Sequence, residues 1–230
     1  MDITKVIASE LGIRAGQVEA VIRLVDEGNT IPFIARYRKE AHGGLNDEVL
    51  RSLDERLTYL RNLEERKEAV IKSIEEQEKM TPELKKSIED AMTLVAVEDL
   101  YRPYKQKRRT RATIAKEKGL EGLADIIWLQ MTQKPIEEEA TAYLNEEAGV
   151  ASTADAIQGA MDILAERISD DAQYRTWIRN ITWKEGILVS SAKDAEAESV
   201  YEMYYDFQEA VSKMAGYRIL AVNRGEKEKL

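Results

Sequence analysis

Between residues 102 and 118 the sequence gathers Arg102, Lys105, Lys107, Arg108, Arg109, Arg111, Lys116 and Lys118 against one acid, Glu117. Cations at that density suit phosphates: each contact releases a condensed counterion, so binding is strong at low salt and falls as salt rises. The segment carries +7 in a chain of net charge −9, which leaves −16 on the remainder, so a polyanion is attracted at one place and repelled elsewhere. Tyr101 and Tyr104 flank it. Rings beside cations suit single-stranded RNA or DNA, whose bases expose faces for stacking. The same residues also read as a solvated loop, or as one paired with acidic helices, with Tyr101 turned inward.

A smaller basic group, Arg36, Arg38 and Lys39 around Tyr37, precedes Ala41-His42-Gly43-Gly44. The glycines permit a sharp turn, but the strand and the terminal Lys-Ser/Thr of a phosphate-binding loop are missing, so nucleotide hydrolysis is not indicated. His42 is the single histidine and has no identifiable carboxylate or nucleophile beside it, so it receives no catalytic role. Zero cysteines exclude disulfides, thiolate zinc sites and cysteine nucleophiles. The acidic groups Glu75-Glu76, Glu137 to Glu139 and Glu146-Glu147 fall where helix surfaces and ends carry charge. No acid, base or metal set converges, so the reading is no enzyme and no cofactor.

The elements that must position these residues are helices. Charged residues make up 33% of 230 and hydrophobic ones 43%, with few Gly and Pro and two Phe. This is a folded chain richer in helix than in sheet. The first forty residues read as three short helices, and Ile7, Ala8, Leu11, Gly12, Ile13, Val18 and Val21 reproduce helix-turn-helix packing. Base reading by its second helix is less favoured, because Gln17, Glu19, Ala20 and Arg23 are followed by Asp26-Glu27, which phosphates repel.

Asn46 opens a long helix with the stripe Leu50, Leu53, Leu57, Leu60, Leu63, Val70, Ile71 and Ile74, whose register loosens around Glu64 to Lys67. Thr81-Pro82 starts an antiparallel return, and Leu94 to Tyr101 forms a further helix before Pro103. Helices also fit residues 120–130, the segment after Pro135, the stretches from Thr153 and from Asp170-Asp171, and 217–225. Residues 187–191 are strand-like but too short and isolated to predict a sheet. The segment Tyr201 to Phe207 reads as either loop or helix.

The expected architecture is all-α, a multi-helix array with a helix-turn-helix-like unit and one long helix in a hairpin or bundle. Its divisions are 1–45, 46–119 with the basic segment, and 120–230, a second helical subdomain leading toward a C-terminal part outside the chain. The start lacks the apolar run of a signal peptide, and no stretch approaches about 20 apolar residues, so a cytoplasmic protein without membrane contact is expected.

Three segments carry a family resemblance. Thr30-Ile31-Pro32-Phe33-Ile34-Ala35-Arg36-Tyr37-Arg38-Lys39-Glu40, followed by Gly43-Gly44-Leu45, resembles the N-terminal region of the bacterial Tex transcription-accessory proteins. The run from Leu100 to Ala115 and the segment Leu220-Ala221-Val222-Asn223-Arg224-Gly225-Glu226 resemble the same family. The resemblance implies a cytoplasmic nucleic-acid-binding protein associated with transcription. Its longer chain continues into an RNase-H-like domain, helix-hairpin-helix elements and an RNA-binding barrel, and activity located there does not transfer to these residues. The expectation is a helical scaffold that binds RNA or DNA through Arg102, Tyr104, Lys105, Lys107, Arg108, Arg109, Arg111, Lys116 and Lys118, with Arg36, Arg38 and Lys39, and that works with the transcription machinery. The alternative is a protein-interaction or spacing module that positions downstream domains without touching nucleic acid.

Overall fold

Asp2 accepts the Lys5 N–H at 3.1 Å and opens helix α1 (Ile3–Leu11), which Gly12 closes in the left-handed region at φ 64 while its N–H reaches the Ala8 carbonyl. Helix α2 (Ala15–Asp26) follows, then α3 (Ile31–Tyr37) with Thr30 at its N-cap and Pro32 in its first turn, and the single turn α4 (Lys39–His42). In the long helix α5 (Asp47–Glu75), the Asn46 side chain accepts the Val49 N–H at 2.8 Å, and Asp47 and Glu48 complement the helix dipole. Thr81 caps α6 (Pro82–Asp90) and Thr93 caps α7 (Leu94–Tyr101). This computed structural model describes residues 1–106 and 108–229.

The chain divides into two compact units, Met1–Gln106 and Lys107–Leu230. The boundary falls inside the basic stretch, where the sequence reading placed divisions after residues 45 and 119. The first unit is unified by α5, whose Leu50, Leu53, Leu57, Leu60 and Leu63 share one core with Ile7, Val18, Val21 and Leu24 on one side of the sequence and Ile88 and Val97 on the other. Burying each such side chain contributes about 1.5–3 kcal/mol. Arg56 on α5 holds Glu10 at 2.6 and 2.7 Å, and Arg61 holds Asp26 at 2.7 and 2.9 Å. These two-point hydrogen bonds keep both carboxyls below their ordinary pKa. The register loosening on α5 is filled by a buried cation: Lys67 is 4% exposed and pairs with Glu64 at 2.9 Å and the Glu89 carbonyl at 2.7 Å.

In the second unit Thr110 caps α8 (Arg111–Glu117), followed by α9 (Glu121–Leu129), α10 (Ile136–Ala140) and α11 (Thr153–Asp170), which begins with a Ser152/Asp155 capping box. Their core is rich in alanine, with Ala112, Ala115, Ala124, Ala140, Ala156 and Ala160 around Leu120, Leu123 and Ile163. Small residues let α8 and α11 approach closely, and Gly159 lies directly against Leu120. Helix α12 (Ala172–Glu185) starts at Asp171, and α13 (Gly216–Glu228) ends the described chain.

Thirteen α-helices make the described residues predominantly helical, with two departures from the sequence reading: α8 forms inside the basic stretch, and a small sheet is present. Strand β1 (Ile187–Ser191) pairs antiparallel with β2 (Asp206–Ala210), from Ile187 opposite Ala210 to Ser191 opposite Asp206. The partner strand takes in only the end of the segment Tyr201 to Phe207, whose residues Glu202–Tyr204 form a helical turn with Tyr204 buried edge-on to Phe207 at 5.2 Å. No helix among the described residues is long and apolar enough to cross a membrane.

Candidate nucleic-acid interface

Helix α3 places its chemistry by alternation of faces. Ile34 and Ala35 point into the first core, which turns Phe33, Arg36 and Tyr37 outward, and Arg38 and Lys39 continue the exposed surface into α4. The Phe33 and Tyr37 rings lie 5.2 Å apart, tilted by 48°. The Arg38 guanidinium is 5.3 Å from the Phe33 centroid and that of Arg36 is 6.0 Å from Tyr37. Arg36, Arg38 and Lys39 form no ion pair among the described residues, so their charge is open to a ligand.

His42 anchors this surface from beneath. It is fully buried, its Nδ1 accepts the Leu45 N–H at 3.0 Å, and its carbonyl accepts the Gln17 side-chain N–H at 2.9 Å. Gly43 and Gly44 take φ 66 and 78, and a Cβ on Gly43 would stand 3.0 Å from the Gln17 amide. The histidine therefore holds a turn. On α2, Gln17 is committed to that carbonyl and Ala20 is buried, leaving Glu19 and Arg23 exposed of the four residues considered for groove reading.

The basic stretch is divided between the units. Arg102, Tyr104 and Lys105 belong to the first; Arg108, Arg109, Arg111, Lys116 and Lys118 belong to the second; Lys107 lies outside the described residues. Several of these groups are already engaged. Arg109 pairs with Glu117 at 2.7 Å, Lys116 with Glu121 at 3.7 Å, and Lys118 donates to the Gly149 carbonyl at 2.8 Å. Lys105, Arg108 and Arg111 are exposed and make no ion pair among the described residues. Tyr101 and Tyr104 pack on the first core: the Tyr101 hydroxyl lies 3.0 Å from Ser73 Oγ, and the Tyr104 carbonyl accepts from Gln77 at 3.0 Å. The exposed aromatic partners of cations in the first unit are thus Phe33 and Tyr37. The sequence reading passed over Phe33, although its four-residue spacing from Tyr37 on a helix was the available signal.

Residues 1–75 match the family described as Tex-like protein N-terminal domain, and residues 130–230 match Tex central region-like. The chain is 47% identical over 231 residues to the transcriptional accessory protein Tex of Neisseria gonorrhoeae, covering 99% of this chain and 30% of that protein. The chain belongs to the Tex family. It is also 49% identical over 225 residues to the uncharacterized protein YdcI of Bacillus subtilis, covering 96% of this chain and 31% of YdcI. Human S1 RNA-binding domain-containing protein 1 is 30% identical over 239 residues, covering 100% of this chain and 24% of that protein. The chain therefore spans about a third or less of the length of these curated relatives. Within the Tex frame, Arg36, Arg38 and Lys39 fall inside the N-terminal match, whereas residues 102–118 fall between the two matched regions.

Proposed function

We propose that this chain is a non-enzymatic, nucleic-acid-binding helical scaffold, the N-terminal portion of a Tex-like transcription accessory protein working in the cytoplasm. The observation that carries this reading is that two sets of exposed cations, Arg36, Arg38 and Lys39 and then Lys105, Arg108 and Arg111, lack ion-pair partners among the described residues of a chain of net charge −9. Unpaired cations gain from phosphate neutralisation what paired ones have already gained within the fold. Relatives named for transcription and for an S1 RNA-binding domain support the association with nucleic acid.

The test is a titration of the 230-residue chain with labelled single-stranded RNA, single-stranded DNA and duplex DNA at several salt concentrations. Charge reversal by Arg108→Glu with Arg111→Glu should weaken binding and flatten its salt dependence, while Arg109→Gln, which removes a cation already held by Glu117, should change it little. Wild-type affinity in the folded double variant removes this segment from the interface.

A second reading, a protein-docking and spacing module, is favoured by α12. None of its residues is buried, although Tyr174, Trp177, Ile178, Ile181 and Trp183 are all exposed. The apolar face that Tyr174, Trp177, Ile178 and Ile181 share suits a protein partner better than a phosphate backbone. Absence of any association with nucleic acid at low salt would favour this reading.

A further inference from the structure

The exposed surface of α3 and α4 differs from an ordinary basic patch in one respect: its rings are exposed together with its cations. Phe33 is 36% and Tyr37 56% exposed, and their 48° tilt at 5.2 Å keeps them from stacking on each other. Each has a guanidinium near it rather than a covering side chain from the core. Glu40 is the one acid between residues 30 and 44, and it too is exposed without an ion pair among the described residues, so the cations keep their charge. Leaving two rings in water forgoes the gain from burying apolar area, whereas a π-face beside a guanidinium offers a stacking surface of the kind bases use.

We propose that Phe33 and Tyr37 form a stacking platform for unpaired bases, with Arg36, Arg38 and Lys39 holding the adjoining phosphates, so that this surface selects single-stranded over duplex nucleic acid. The inference rests on the nucleic-acid reading above and narrows it to a strand type and to two residues which that reading does not use. In a duplex the base faces are covered by their neighbours, so the rings contribute nothing and only the cations engage. A flexible single strand can place a base on a ring and a phosphate on Arg36 or Arg38 together. Arginine fits this double role because its planar guanidinium can stack and donate two hydrogen bonds.

The experiment compares single-stranded oligonucleotides with a duplex of the same length, using Phe33→Leu with Tyr37→Leu in the 230-residue chain. Leucine keeps apolar bulk and removes the π-face, and because Ile34 and Ala35 carry the inward contacts of α3, helix content should stay at the wild-type level by circular dichroism. Single-strand affinity should fall about tenfold or more with the salt slope unchanged, duplex affinity should stay constant, and Tyr37→Phe should retain wild-type binding. Replacing Arg36, Arg38 and Lys39 by Gln should lower affinity for both strand types and reduce the single-strand salt slope by about 2. Undiminished single-strand binding by the leucine variant overturns the platform while leaving the broader reading intact. Failure of the wild-type chain to bind any oligonucleotide removes both. A polyglutamate peptide bound as tightly as a single strand, with the same dependence on the two rings, also overturns the proposal in favour of an acidic protein partner.

Discussion

Helix α5 buries eight positions along its 29 residues, from Leu50 to Ile74, whereas α12 buries none of its 14, despite two tryptophans, two isoleucines and a tyrosine. Both sequences are amphipathic. What differs is the neighbours: α1, α2, α3, α6 and α7 pack along α5, while α12 meets only α11 and the short turn Val211–Lys213 to any extent within its unit. Tertiary packing supplies most of a helix's stability in a protein, so the two helices should differ far more in stability than in propensity. An apolar stripe therefore reports which face seeks cover, and only the surrounding chain decides whether it finds any.

Hydrogen exchange resolved by peptide should give this contrast its largest expression. Amides between residues 57 and 70 should open only with the first unit as a whole, whereas those between 175 and 185 should exchange several orders of magnitude faster through local opening. Equal protection of the two segments would break the comparison. Side-chain truncation sharpens it at the level of single residues. Leu57 is 2% exposed, so Leu57→Ala should cost about 3 kcal/mol and shift the far-UV circular dichroism transition in urea. Trp177 is 62% exposed, so Trp177→Ala should cost less than about 0.5 kcal/mol.

The sequence marked helix starts well because capping is local chemistry. Asn46, Thr81 and Asp171 each stand at the N-cap and accept N–H groups one turn on, and the range 94–101 matches α7. Lys67 was not legible in that way. A lysine is buried only when paired, and its partners Glu64 and the Glu89 carbonyl belong to a packing arrangement that no periodicity reveals. The pairing of β1 with β2 was hidden for a similar reason: 14 residues separate the strands, and Asp206-Phe207-Gln208-Glu209-Ala210 has little strand character alone. For the candidate interface, composition located the cations, but which remain unpaired depends on Glu117, Glu121 and the Gly149 carbonyl, and only Glu117 lies within the stretch itself.

The second unit is not uniformly loose, and Gly159 tests this. A Cβ at this position would collide with Leu120 Cδ1 and stand 3.3 Å from the Ala115 Cβ. Leu120 is 1% exposed, so its Cδ1 must shift within the second core to admit the added methyl group. Overpacking costs about 1–3 kcal/mol, and the helix preference for Ala over Gly returns about 0.5–1 kcal/mol, so Gly159→Ala should destabilise by about 1 kcal/mol net. Tryptophan fluorescence is the suitable readout, because all three tryptophans, Trp128, Trp177 and Trp183, belong to the second unit. A stabilised variant would show that α8 and α11 have the same slack as α12.

A further effect concerns the charge that α5 buries. Burial by itself raises the Glu64 pKa, but hydrogen bonds from the N-terminal ammonium at 2.8 Å and from Lys67 outweigh it and leave the carboxyl below its usual 4.5. A carboxyl whose pKa is depressed by folding adds stability that is fully present above its unfolded value and is lost as pH falls through the folded one. Glu64→Gln should thus lower the stability of the first unit by about 1 kcal/mol at neutral pH, since it removes the negative charge that faces the buried Lys67 ammonium. The gap between variant and wild type should narrow as pH falls below 4.5 and close once the folded-state carboxyl is protonated, measured as urea midpoints by circular dichroism. Glu10 and Asp26 titrate in the same direction in both proteins and cancel in that difference. A gap independent of pH would mean that Lys67 is held by the Glu89 carbonyl without help from the Glu64 charge.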